Sequence, residues 1–231
     1  QVVKVGQGVK DFKPGDRVAG EAHVGCGKCD NCKRGHYTVC LNYGKDGKDG
    51  GLDMGHRHYG FYWQGANAEY NVYKSSALHR IPDGVSYDVA SMCDCAGVAF
   101  HGVELAGVTP GGTSVVFGPG AIGLCAMMEC KALGSGRVIM IGRGAKLEKA
   151  RELGADICID FEKEDPVKRV LELTGGVGAD EVMECSGASD SPLKACQMVK
   201  KTGAVAIIAT YHNDTVPIPA NIVNLDRKSV V

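Results

Sequence analysis

The chain of 231 residues is 44% hydrophobic and 23% charged, with a formal net charge of −1, a composition that supports one large or two modest buried cores. Without a basic block it has no electrostatic footprint for nucleic acid or an anionic membrane surface, and no apolar run reaches the ~18 residues of a bilayer span. Neither is therefore expected as a partner, and small-molecule chemistry is the default.

Eleven cysteines are present, an odd count that argues against a disulfide scaffold. Four cluster, and the other seven, from Cys93 to Cys196, lie in apolar segments where a small hydrophobe would serve equally well. The pattern fits a reducing, cytoplasmic compartment with four thiols gathered for a metal. Glycine, at 33 residues, is about twice its ordinary ~7% share and signals many tight turns.

In chain order, "QVVKV", "DRVAG" and "AEYNVYK" are short β-branched runs between turns such as "KPGD" and "IPDG". They predict antiparallel strands of a β domain over residues 1–88. Between them lies "GCGKCDNCKRGHYTVC", which places Cys26, Cys29, Cys32 and Cys40 at C-x2-C-x2-C-x7-C spacing. Such spacing lets one loop wrap a tetrahedral Zn2+, and four thiolates close the shell against water or substrate, as in a structural ion. Spacing alone does not separate zinc from an iron–sulfur cluster. The following "GHRHYGFYWQG" crowds His56, His58, Tyr59, Phe61 and Trp63, either lining an apolar pocket or packing beneath a surface loop.

From residue 89 strands and helices alternate. "TSVVFG", "RVIMI", "DICID", "ADEVMECSG" and "AVAIIAT" read as strands. The helices between them begin at Ala121, in "AKLEKARELGA", in "DPVKRVLELTG" and in "SPLKACQMVKKTG", the last closed by Gly203. This order predicts an α/β fold, a doubly wound parallel sheet of about five strands where six are usual. Both ends of the chain are accordingly expected to be cut, and a targeting segment ahead of Gln1 would not be legible here.

"VVFGPGAIG" sets Gly118, Gly120 and Gly123 in G-x-G-x-x-G between a strand and a helix, with Ala121 and Ile122 opening that helix. In this context the glycines admit a pyrophosphate to the helix N-terminus. At the end of the next strand, where an acid commonly holds a ribose 2′-hydroxyl, stand Gly142 and Arg143. A missing carboxylate and an adjacent guanidinium favour NADP over NAD. Ser186 with Gly187, and Tyr211 with His212, end two later strands and are expected near the nicotinamide half, while Glu184 is read instead as structural.

Taken together, "VVKVGQGVKDFKPGDRV", the cysteine quartet, "GANAEY" and "GPGAIG" resemble the zinc-dependent medium-chain alcohol dehydrogenases, nearest to secondary-alcohol and polyol-type members. The resemblance implies a GroES-like domain, a Rossmann domain from residue 89 to 231, a homodimer or homotetramer in the intact protein, and a small alcohol or carbonyl substrate. It places the quartet on the family's structural zinc loop. It also implies a catalytic zinc, whose cysteine and Gly-His-Glu ligands would precede Gln1 and whose third ligand falls in "SMCDCAGVAFHGVELAG". Asp94 aligns with that ligand, and Cys93 or Cys95 would fit after a one-residue slip; Asp94 could instead cap the helix. His101 reads as a core or cap histidine. The resemblance thus implies hydride transfer between an alcohol and NAD(P) in the parent enzyme, with the 231 residues alone inactive. A zinc module that binds a macromolecule and a quinone-reductase-like relative are the alternatives.

Overall fold

Every residue of the central strand Thr113–Phe117 is buried, and that strand organises the larger part of the chain. In the computed structural model, which describes residues 1–42, 59–60, 64–212 and 215–231, the chain divides into two compact units, Gln1–Asp94 and Cys95–Val231.

The first unit contains an antiparallel pair, β1 (Val18–Gly20) and β2 (Leu78–Arg80), with Val18 opposite Arg80 and Gly20 opposite Leu78. A small cluster of Val24, Tyr59 and Ala77, joined by Tyr73, forms its core. Asp16 is buried at its edge, accepting from Lys13 N at 2.9 Å and facing Arg80 Nη1 at 2.9 Å. Arg17 donates to Val85 O and lies 4.8 Å from the ring centre of Tyr87. Two of the three expected strands are not strands. "QVVKV" is tied to the chain by Val2 N to Asp16 O and Gly15 N to Val2 O, both 2.9 Å, but joins no ladder. "AEYNVYK" runs outside any sheet with Tyr70 and Val72 exposed. Alternating β-branched residues are suited to a pleated surface, yet a strand needs a partner edge, and neither segment has one among the described residues. The four-residue helix α1 (Asp30–Lys33) sits inside the cysteine loop, and α2 (Tyr87–Ala90) is capped by Ser86 Oγ, which accepts from Val89 N at 3.2 Å.

In the second unit β3 (Thr113–Phe117), β4 (Arg137–Gly142), β5 (Ile157–Asp160), β6 (Ala179–Glu184), β7 (Val199–Ile207) and β8 (Ser229–Val230) form one parallel sheet in the order β5-β4-β3-β6-β7-β8. The sheet has six strands rather than five, because the last residues add the two-residue β8, with Ala204 opposite Ser229 and Val205 opposite Val230. Helices α3 (Cys93–Ala106), which starts at the unit boundary, α4 (Ala121–Ala132), α5 (Gly144–Glu152), α6 (Pro166–Leu173), α7 (Ser191–Met198) and α8 (Ala220–Leu225) alternate with them. A parallel sheet covered on both faces needs apolar residues at consecutive positions. β3 meets that need: Val116 joins Met127, Met140 and Met183 on one face, while Val115 and Phe117 join Ile139, Ile141 and Val182 on the other.

The expected helix up to Gly203 stops at Met198. Val199 is buried and opens β7 opposite Ala179, with a register irregularity between Ala179 and Glu181. A buried β-branched residue with a strand partner outcompetes helical continuation.

Candidate metal centre and cofactor crevice

The four cysteines of the first unit converge. Cys29 caps α1, its sulfur accepting from Cys32 N at 3.5 Å, while a short 3-10 turn over Tyr37–Val39 returns the chain to Cys40. Gly25 admits this return, since a Cβ there would lie 2.6 Å from Cys32 Sγ and 2.7 Å from Tyr37 Cβ. All four sulfurs lie within 4.8 Å of one another, and Cys26–Cys32 and Cys29–Cys40 are each 3.9 Å apart. Zn–S bonds of about 2.3 Å in a tetrahedron put the sulfurs about 3.8 Å apart, so the cage is the size of one ion. A cluster of several irons needs a wider one.

Main-chain donors already face the sulfurs: Lys28 N and Cys29 N to Cys26, and Cys26 N to Cys40, each at 3.4 Å, with Asn42 Nδ2 to Cys26 at 3.2 Å. The Lys28 N–H foremost holds the Cys26 thiol down at about 6, whereas burial pushes Cys32 up to about 12. A set in which one thiol ionises readily and another resists in isolation is one that a bound cation completes. The donor set and its dimensions therefore fit a structural zinc.

Beside the quartet, Tyr37 Oη donates to Glu21 Oε1 at 2.7 Å, a bond that raises the phenol to about 12. It ties the loop to the strand pair. Of the aromatic loop, His56, His58, Phe61 and Trp63 lie outside the described residues. Tyr59 is buried, 4.3 Å from the Tyr73 ring centre, with its hydroxyl accepting from Lys74 N at 3.0 Å. Tyr59 thus belongs to the core.

In the second unit the glycine turn lies at the C-terminal end of β3, where the sheet order changes direction between β3 and β6. This is the switch point at which such sheets bind ligands. Gly118 has φ +101°, and a Cβ there would sit 2.7 Å from Ser186 Cα. At Gly123 it would fall 1.9 Å from Gly118 O, and at Gly142 2.4 Å from the Pro119 ring. Gly120, the N-cap of α4, has open space where its Cβ would be. Gly123 thus closes the turn on itself, Gly118 and Gly142 let the loop after β6 and the end of β4 pack against it, and Gly120 leaves room above the helix N-terminus, whose first N–H groups at Ala121 and Ile122 lack intrahelical acceptors.

Ser186 and Tyr211 meet through Glu184. This fully buried carboxylate ends β6 and accepts from Ser186 N at 2.7 Å, from Ser186 Oγ at 2.5 Å and from the Tyr211 hydroxyl. Burial first, then the Glu184 contact, pushes the tyrosine phenol up. Gly187, at φ +70°, packs on Thr210 O, 2.8 Å from where its Cβ would be. Glu184 is the organising residue that sequence reasoning set aside. Its one legible signal was a carboxylate directly after the apolar pair Val182 and Met183 at the end of the strand. Arg143 follows β4, exposed, with Nη1 2.5 Å from Glu162 Oε1. His212 is also exposed, and His101 lies at the surface 3.9 Å from Glu104.

Asp94 and Cys93 are exposed in the first turn of α3, and Cys95 packs against the core of the second unit. Among the described residues the quartet is the sole group of three or more His, Cys, Asp or Glu side chains at metal-binding distance, so Asp94 has no such assembly around it. No helix among them is long and apolar enough to cross a membrane.

Comparison with known proteins places residues 1–83 in the alcohol dehydrogenase GroES-like domain family and residues 121–231 in the zinc-binding dehydrogenase family. Sorbitol dehydrogenase of Halalkalibacterium halodurans is 34% identical over 215 residues, covering 91% of this chain and 59% of that protein. L-threonine 3-dehydrogenase of Bacillus licheniformis is 36% identical over 210 residues, 90% of this chain and 57% of its own length. The chain therefore spans less than two thirds of these relatives. Among solved structures, an alcohol dehydrogenase from Thermus sp. ATN1 superposes with a TM-score of 0.86 at 31% identity, covering 100% of this chain and 65% of that one. A zinc-binding dehydrogenase of Sinorhizobium meliloti 1021, solved bound to NADP, gives 0.88 at 27% identity, with 99% and 64% covered.

Proposed function

The chain belongs to the zinc-dependent medium-chain alcohol dehydrogenases, and on that premise we propose that it supplies the structural-zinc loop and the dinucleotide crevice of an enzyme transferring hydride between a secondary alcohol or polyol and NADP. Residues 1–88 are the GroES-like part and 89–231 the Rossmann part. The observation that carries the reading is the joined edge of Gly118, Ser186, Glu184 and Tyr211 beside the open N-terminus of α4.

Each residue has a task. Cys26, Cys29, Cys32 and Cys40 hold an ion that organises the loop. Gly118 and Gly123 shape the turn, and Gly120, Ala121 and Ile122 present backbone to the pyrophosphate. Gly142 and Arg143 receive the adenosine ribose, with Arg143 pairing a 2′-phosphate, which favours NADP over NAD. Ser186 and Tyr211 border the nicotinamide half. Asp94 is the side chain offered to a catalytic zinc, with Cys93 or Cys95 next in line. When bound, a zinc with an open position lowers the pKa of an alcohol while the nicotinamide accepts hydride. As an exposed carboxylate in a first helical turn, Asp94 is free to turn toward such an ion. The relatives named for sorbitol and threonine differ in substrate at similar identity, so the alcohol is assigned here only as a class.

Titration of the zinc-loaded chain with NADPH and NADH, followed by cofactor fluorescence, tests this. Saturable binding with NADPH tighter is expected, together with one zinc per chain that is retained on dialysis. A folded, zinc-loaded chain that binds neither nucleotide would sink the reading.

A further inference from the structure

The end of β4 and the turn after β5 form a small, self-held structure around Arg143. Gly142 lies in register with Asp160. Phe161 N donates to Gly142 O at 3.2 Å and Glu162 N to Asp160 Oδ1 at 3.1 Å, so the chain leaving β5 folds back over the end of β4. That path sets the Arg143 guanidinium 5.7 Å from the Phe161 ring centre and its Nη1 2.5 Å from Glu162 Oε1. Lys163 is engaged elsewhere, 3.0 Å from Asp160 Oδ2. Arg143 is therefore a claimed cation before any ligand arrives. The claim is weak, because the Arg143 and Glu162 side chains are 63% and 54% exposed, and ion pairs in water hold little.

We propose that Glu162 is a specificity-determining residue, which competes with a 2′-phosphate for Arg143 and so lowers the preference for the phosphorylated cofactor that Arg143 alone would confer. The proposal rests on the reading above that Arg143 faces the ribose 2′ position. A guanidinium presents a planar fork of five donors, and Glu162 occupies Nη1. A phosphate monoester carries between one and two negative charges near neutral pH. It must either displace the carboxylate or share the arginine with it at close range, where like charges repel. A 2′-hydroxyl makes no such demand, and Glu162 can accept a hydrogen bond from it. The pair, rather than the arginine by itself, then sets the ratio of the two affinities.

The test uses the full chain and the two halves of the question as probes: adenosine 2′,5′-bisphosphate and adenosine 5′-monophosphate, titrated calorimetrically into wild type, Glu162→Gln, Arg143→Gln and the double variant. At low salt Glu162→Gln should tighten the bisphosphate about two- to fivefold, the scale of an exposed ion pair, and leave the monophosphate unchanged or slightly weaker. The gain should shrink in about 0.5 M salt, where screening acts over a few ångströms, and vanish in the Arg143→Gln background. An equal effect on both probes, no effect on the bisphosphate, or a gain that survives loss of Arg143 would overturn the proposal while leaving the cofactor site intact. Binding of neither probe by any of the folded proteins would overturn it together with the cofactor reading.

Discussion

At Gly123 one added methyl group would sit 1.9 Å from Gly118 O, whereas at Gly120 it would meet nothing. Two glycines of one motif therefore have different physical reasons to be glycine, and two substitutions separate them. Gly123→Ala should destabilise the second unit by about 2–3 kcal/mol, as overpacking does, and lose nucleotide binding with it; urea unfolding followed by circular dichroism reads the loss. Gly120→Ala should leave stability within about 0.5 kcal/mol, as for a substitution that touches no structural feature, yet weaken NADPH binding, because its new atom occupies the space offered to the pyrophosphate. A Gly120→Ala protein that unfolds early would contradict the division. The motif's spacing was legible in the chain. Glu184 was not, since its value lies in Ser186 and Tyr211 arriving from two different loops.

Among elements, the edge of the sheet opposite the crevice is tied by Asp180. Standing on β6, it accepts from Thr113 N of β3 at 2.7 Å and pairs with Lys200 of β7. Burial works against its charge, but the Lys200 contact and the Thr113 N–H outweigh burial and hold the carboxyl below its ordinary 3.8. A depressed folded-state pKa means stability that is present above 3.8 and lost as pH falls below it toward the folded value. Asp180→Asn should cost about 1.5–3 kcal/mol near neutrality, the range for hydrogen bonds to a charged group, and the gap from wild type should close as the solution is acidified below 3.8. Urea unfolding at a series of pH values checks this; a gap that stays constant would mean that the aspartate acts by shape alone. The neighbouring Glu181 has the opposite sign. Burial raises its pKa, so its contribution is full below the ordinary value of 4.5 and is lost as pH rises through the folded one. Elements of this sheet were readable from alternation and length. The short β8 and the early end of α7 were not, because each depends on a strand partner far along the chain.

For the molecule as a whole, the two units are held by different means. The parallel sheet buries apolar layers on both faces, while the described residues of the first unit form a small cluster and the cysteine cage. Small cores need such staples. Removing zinc with a chelator should therefore raise amide hydrogen exchange across residues 24–42 and leave β3 to β7 protected. Mass-spectrometric exchange reads both at once, and equal loss in the sheet would show that the ion supports more than its loop.

The chain's order of residues by itself determined the metal-binding spacing, the glycine turn between strand and helix, and the alternation that makes a parallel sheet, because each is set by neighbours within a few residues or by local backbone geometry. Only the tertiary structure decided that "QVVKV" and "AEYNVYK" pair with no strand among the described residues, that a sixth strand joins the sheet, that Glu184 gathers Ser186 and Tyr211, and that Arg143 is already bound to Glu162. Those outcomes depend on which distant segments reach the same edge, and local periodicity carries no record of that.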